Sequence, residues 1–287
     1  MIIVVIYMIV NDFEKETKYK LFRSVKELLH PSISKKNISD YRIVIDEESF
    51  PIVAFYPKKV SNINRVMIFI HGDGEVTGCK GKYADICKKI ATNTNSLILG
   101  IDYEIDKKKY QEAYKKILLT INNILEELKD HDIEKILVGD STGAQIIVGL
   151  HHFSSKRINV SKEILFYPVL SMEYFGNSKF ESITKQESFN ENLLANLQEY
   201  FKRISLKKDL TDELLNPLTY KDYSLYPKTL ILTGKVDSLL DEGKEYINKL
   251  NNGSILNEVA FASHGFLRRL DDDIEKEVFE DLNKFLQ

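Results

Sequence analysis

From about residue 66 onward the chain alternates short runs of consecutive apolar residues with longer stretches in which apolar positions recur every three or four residues. The runs are Val66–Ile70, Leu97–Ile101, Ile136–Val138, Ile164–Tyr167, Thr229–Leu232 and Leu256–Phe261. Helical periodicity marks about Lys82–Ala91, Lys107–Leu128, Thr142–Phe153, Asp241–Leu250 and Asp271–Phe285. Strands that are apolar on both faces and alternate with helices predict a parallel sheet covered on both sides, with right-handed crossovers. Upstream, Tyr41–Ile45 and Ile52–Tyr56 are β-branched and aromatic runs separated by Asp46, Glu47 and Glu48, which suits a hairpin or meander. Phe13–His30 sets Phe13, Tyr19, Phe22, Val25 and Leu29 near a 3.6-residue period and stops at Pro31, which predicts an amphipathic helix. The pattern describes one doubly wound α/β domain of about eight strands.

Two stretches depart from the alternation. Ser171–Leu218 is polar, with a helix expected near Asn190–Arg203, and reads as an insertion packed over one end of the sheet. Met1–Val10 is uncharged and mostly apolar, but a membrane-spanning helix needs about 20 such residues. It also lacks the basic start and small-residue cleavage site of a secretory signal. A packed N-terminal segment is favoured over an interfacial anchor or an upstream extension with initiation at Met8, and a soluble cytoplasmic protein is expected. The charged runs Lys107–Lys109 and Asp271–Asp273 read as solvated helix starts, the second favourable to the helix dipole.

Composition adds exclusions. The 287 residues carry 40 basic and 43 acidic side chains, a net charge of −3. That balance argues against a nucleic-acid binder resting on a basic face. Two cysteines, Cys79 and Cys87, cannot build a disulfide framework and read as small buried apolar residues.

In open α/β sheets the site lies outside the carboxyl ends of the strands. His71-Gly72-Asp73-Gly74 follows one strand, Gly139-Asp140-Ser141-Thr142-Gly143 a second, Thr233 to Asp237 a third, and Ala262-Ser263-His264-Gly265 a fourth. The second segment is a G-x-S-x-G between strand and helix. Its sharp turn needs Gly139 and Gly143 to be small, and it aims the Ser141 hydroxyl at the positive end of a helix. A serine hydroxyl needs a base, and the base needs a carboxylate to hold its tautomer. His264 is the best-placed base. Asp237 is the leading acid, with Asp241 and Glu242 as rivals that read as a helix first turn in a capping role. Adjacent His151 and His152 cannot face one another on a helix, so a satisfied or exposed pair is expected there rather than a metal site. The turn at His71–Gly74 suits backbone N–H donors for an oxyanion, with the N–H of Thr142 as a further donor.

Together these segments resemble the hormone-sensitive-lipase-like branch of the α/β-hydrolase fold, a family of carboxylesterases. That branch carries H-G-G-G, G-D-S-A-G, an aspartate in D-P-L followed by D-E-G, and a histidine followed by G-F. Here they read HGDG (71–74), GDSTG (139–143), DSLLDEG (237–243) and HGF (264–266), with Tyr167-Pro168 and Asn216-Pro217-Leu218 where the branch has Y-P and S-P-L. The likeness covers roughly Asp40 to Gln287. It implies an α/β-hydrolase fold whose mostly parallel sheet is flanked by helices and topped by a helical cap. Residues 1–38 would form an N-terminal segment with a cap helix, 39–287 the hydrolase domain, and 172–206 the cap insertion.

By the same resemblance Ser141 is the nucleophile, His264 the general base and acid, and Asp237 the orienting carboxylate. Asp73, Gly74 and Thr142 give oxyanion-hole N–H groups, supported by His71, Gly72, Gly139 and Gly143. The implied reaction is hydrolysis of small acyl esters through an acyl-Ser141 intermediate, with no metal or organic cofactor; the charge balance and the short apolar start add the expectations of no nucleic-acid partner and no stable membrane insertion. Members of the branch are often dimers, so a homodimer is an assembly the resemblance admits. Asp73 stands where the family has glycine, and its side chain is expected to turn outward toward Lys80 or Lys82. Amidase, formamidase or peptidase chemistry would use the same triad. A non-catalytic ligand-binding protein is the other alternative, but relatives of that kind typically lose the histidine kept here as His264.

Overall fold

The architecture is taken from a computed structural model that describes residues 20–22, 24–29, 41–43, 45, 48–58, 62–72, 79, 81–104, 110–154, 156–171 and 213–287. Each apolar run becomes a strand because its backbone groups can be satisfied only by neighbours, while both of its faces are available for burial. The strands are β1 (Lys20–Phe22), β2 (Tyr41–Ile43), β3 (Ile52–Phe55), β4 (Arg65–Ile70), β5 (Leu97–Ile101), β6 (Glu134–Asp140), β7 (Lys162–Phe166), β8 (Lys228–Gly234) and β9 (Ile255–Val259). They form one sheet in the order β1-β2-β3-β5-β4-β6-β7-β8-β9. From β5 through β9 every pairing is parallel, whereas β3 lies antiparallel to both β2 and β5.

The helices among the described residues are α1 (Val25–Leu28), α2 (Lys82–Thr94), α3 (Tyr110–Glu127), α4 (Thr142–Phe153), α5 (Leu240–Leu250) and α6 (Asp272–Leu286). Period-two alternation decides which side chains meet which helices. Val66, Ile68 and Ile70 pack with Ile117 and Ile121 of α3, Ile147 of α4 and Tyr246 of α5. Met67 and Phe69 point the other way, into Ile86 and Ile90 of α2 and Phe279 and Leu282 of α6. Each such side chain withdrawn from water contributes about 1.5–3 kcal/mol before entropy is counted. Asp271 caps α6 by accepting from the Ile274 N–H at 2.9 Å, consistent with the acidic helix start expected there. Cys79 and Cys87 are both buried free thiols.

Eight strands match the runs read from the sequence, and β1 is the ninth. It falls inside Phe13–His30, where one helix was expected. That helix is not formed as drawn: Ser24 is extended at φ −144° and ψ 137°, so a short helix starts only at Val25. The reason is tertiary. The Glu127 carboxylate at the end of α3 accepts from the Ser24 hydroxyl at 2.7 Å and from the Val25 N–H at 2.6 Å, which fixes a helix start at that point. The expected strand Leu256–Phe261 is also shorter, because Phe261 adopts φ +56° and turns the chain after Val259. Residues 1–19, most of the segment 1–38, the Lys107–Lys109 run and the expected cap insertion at 172–206 lie outside the described residues.

Replacing Glu127 with alanine removes the acceptor shared by three donors on residues 24–26. The expected result is a loss of about 1–2 kcal/mol in urea unfolding. Proteolytic cleavage between residues 20 and 30 should quicken as well.

Candidate active site

The site assembles where β4, β6, β7, β8 and β9 end. β6 runs to Asp140, and the chain then turns at once into α4, leaving Ser141 at φ 51° and ψ −118°. Such a backbone costs about 1–3 kcal/mol and persists only when its surroundings over-determine it. Here they do. The Ser141 N–H donates to Phe166 O at 2.9 Å, and its carbonyl accepts from Gln145 N at 3.1 Å and Val169 N at 3.4 Å. Gly143 presses so closely on β4 that a Cβ there would lie 2.2 Å from Ile70 O. At Gly139 an added Cβ would meet Ala144 N at 2.9 Å. Both glycines are therefore required by close approach, as the G-x-S-x-G pattern predicts.

The turn brings Ser141 Oγ to 3.0 Å from His264 Nε2. On the other side of the ring, His264 Nδ1 lies 3.1 Å from Asp237 Oδ2 and 3.3 Å from Oδ1. The Asp237 side chain is fully buried, and its Oδ1 also accepts the Leu239 N–H at 2.8 Å. Ser141 is 5% exposed and the His264 side chain 12%, so the group is largely shielded from solvent. Tyr167 sets its ring edge-to-face against His264 at 4.9 Å and thereby limits the tilt of the imidazole. Thr142 begins α4, where backbone N–H groups point outward with the positive end of the helix dipole.

Asp140 is the unassigned residue of the motif, and it occupies the centre of a buried network. Its Oδ1 accepts the Gly72 N–H at 2.7 Å. Its Oδ2 accepts the hydroxyls of Tyr83 at 3.2 Å and Tyr167 at 3.3 Å. Arg268 in turn donates to the Tyr83 oxygen at 2.5 Å. Burial, and next to it the charge of Asp140, pushes the Tyr167 phenol well above its usual range, so it stays a donor. His71 is fully buried and stacks on Tyr103 at 4.3 Å. Asp73, Gly74 and Lys80 lie outside the described residues.

Of the rival acids, Asp241 stays partly exposed in the first turn of α5, while Glu242 is buried and serves no cap of its own helix. Its Oε2 accepts the N–H groups of Leu170 at 2.7 Å and Ser171 at 3.1 Å. The capping role expected for Glu242 is therefore replaced by a tether across to the β7 exit. A signal for this was present: Glu242, Tyr246 and Leu250 repeat every four residues, which puts the carboxyl on the apolar stripe of α5. His151 and His152 diverge as expected. The first is buried against Glu163, and the second is exposed and stacked on Tyr220 at 3.9 Å. Among the described residues no group of three or more His, Cys, Asp or Glu could hold a metal ion, and no helix is long and apolar enough to cross a membrane.

Residues 67–267 match the family model described as alpha/beta hydrolase fold. The chain belongs to that family. Its motifs put it with the hormone-sensitive-lipase-like members. Among relatives, the alpha/beta hydrolase R526 of Acanthamoeba polyphaga mimivirus is 23% identical over 76% of this chain and 64% of its own length, so this chain spans just under two thirds of it. An arylesterase of Saccharolobus solfataricus is 23% identical over 85% of this chain and 81% of that protein. The solved structure of the Francisella virulence factor BioJ superposes with a TM-score of 0.71 at 22% identity, covering 87% of this chain and 84% of that one, which shows the shared fold.

Removal of the Asp140 carboxylate strands buried donors at once. Asp140→Ala is expected to lower stability by about 3 kcal/mol in urea unfolding. Tyr167→Phe, which loses one bond and keeps the ring, should cost about 1 kcal/mol.

Proposed function

We propose that the protein is a serine carboxylesterase that hydrolyses small acyl esters through an acyl-Ser141 intermediate. The observation that carries the reading is the unbroken chain Ser141 Oγ–His264 Nε2–Asp237 at 3.0 and 3.1 Å, set on a backbone turn held at φ 51°. The name of the arylesterase relative agrees with it.

Ser141 Oγ attacks the ester carbonyl carbon while His264 Nε2 takes its proton. Asp237 accepts from Nδ1–H, which keeps Nε2 free as the base and stabilises the imidazolium that forms. The oxyanion is met by the N–H of Thr142 and, by resemblance to the family, those of Asp73 and Gly74. Asp140 supports that side of the site by holding the Gly72 N–H, which fixes where the loop leaves β4. Collapse of the intermediate expels the alcohol, which takes the proton from His264. Water activated by the same imidazole then attacks the acyl-Ser141 carbonyl, and the acid is released.

The test is hydrolysis of p-nitrophenyl acetate, butyrate and octanoate, with intact mass measured after fluorophosphonate treatment. Wild type should turn over and take one adduct. Ser141→Ala should lose the adduct and, like His264→Ala, about ten-thousand-fold or more in kcat. Asp237→Asn should lose a comparable amount by favouring the wrong tautomer. A folded wild-type protein that neither labels nor turns over contradicts the proposal; labelling without ester turnover would redirect it to amide substrates.

A further inference from the structure

Glu242 is a buried carboxyl close to Asp237 that the ester mechanism does not use. It stands in the first turn of α5, five residues after Asp237, and its Oε2 takes two consecutive backbone N–H groups, Leu170 and Ser171. Those residues lie in the segment that follows β7. The same segment holds both backbone groups of Ser141, through Phe166 O and Val169 N. The turn before α5 holds Asp237, whose Oδ1 accepts from Leu239 N and whose carbonyl accepts from Leu240 N. One side chain thus joins the support of the serine to the support of the acid.

Building on the esterase reading, we propose that Glu242 is a positioning residue whose carboxyl group clasps the β7 exit to α5 and so sets the approach of Ser141 to His264. It touches neither the substrate nor the reacting atoms. The clasp works as a neutral acid. Glu242 Oε1 is buried without a hydrogen-bond partner, a place where a full charge would be expensive. Burial above all, with the charges facing it from Asp237 in the turn after β8 and Glu245 on α5, raises the carboxyl to about 8 against the two N–H groups, which pull it down. Glutamine therefore reproduces the working form, whereas aspartate is one methylene too short to reach Leu170 and Ser171.

The sign of the pH effect follows from the same state. Between the ordinary carboxyl range and about 8 the folded protein holds a proton that the unfolded chain has lost. The stability linked to Glu242 is thus complete at acid pH and declines as pH rises through that window. Glu242→Gln lacks this decline, so its melting temperature relative to wild type should climb from pH 5 to about pH 8 and level off above it.

The experiment compares wild type with Glu242→Gln, Glu242→Asp and Glu242→Ala in the full chain. It reads ester kcat and KM, the rate of Ser141 phosphonylation, and hydrogen exchange of the Leu170 and Ser171 amides. Glu242→Gln should stay within about threefold of wild type in kcat, with both amides protected. Glu242→Asp and Glu242→Ala should lose about tenfold or more in kcat and in phosphonylation rate, because a displacement of about 1 Å is enough to do so, with KM changed less. Their two amides should exchange about tenfold faster or more. If Glu242→Ala does not fold, Glu242→Asp carries the comparison. Unchanged kcat and protection in a folded Glu242→Asp or Glu242→Ala overturns the proposal. So does a Glu242→Gln protein as impaired as Glu242→Asp. A wild type inert to esters and fluorophosphonate would overturn the esterase reading instead, and amide exchange would still decide the clasp.

Discussion

The backbone of Ser141 is the constraint from which the rest of the site follows. A non-glycine residue at φ 51° and ψ −118° does not hold itself there. It is held because the β7 exit bonds both its N–H and its carbonyl, and because Gly143 lets α4 press against the end of β4. The long apolar contacts of α4 with the sheet supply the free energy that this turn consumes. In return the turn lifts one hydroxyl clear of the sheet, at the amino end of a helix and within reach of His264. A side chain at residue 143 would push the helix away and lower the turn, whatever the serine did.

Around that turn the polar groups are arranged in depth. Asp140 ties the start of the loop after β4, through Gly72, to Tyr167, and the Tyr167 ring rests on His264. Tyr83 and Arg268 extend the network to α2 and to the turn after His264. A buried carboxylate is destabilised by the loss of any of its donors, so the Gly72, Tyr83 and Tyr167 bonds to Asp140 couple the loop and the histidine to one another. The histidine is thereby fixed from two directions, by Asp237 at its nitrogen and by Tyr167 at its face.

Much of this was legible in the chain. Two-sided apolar runs alternating with helical periodicity identify a parallel sheet, and the candidate site residues sit after four of those runs. The glycine spacing around Ser141 was readable because close approach leaves so few residue types possible. What the pattern could not show is contact made by polar side chains across the fold. Glu127 decides where α1 begins from about a hundred positions away, which no local period reports. Asp140 looks like one more motif letter until Gly72, Tyr83 and Tyr167 are found around it. Glu242 was misread because a carboxylate in a first turn usually faces solvent, and only its place on the apolar stripe of α5 says otherwise. Phe261 reads as the end of a strand by composition, yet it is 94% exposed at a positive φ.

The most direct test of the account is a crystal structure of the protein after reaction with a small fluorophosphonate. The account predicts phosphorus bonded to Ser141 Oγ, with its free oxygen about 2.9 Å from the Thr142 N–H. Gly72 should remain on Asp140, and His264 should stay between the adduct and Asp237. An adduct on another residue would contradict it. So would a phosphoryl oxygen turned away from Thr142 with the Gly72–Asp140 bond broken.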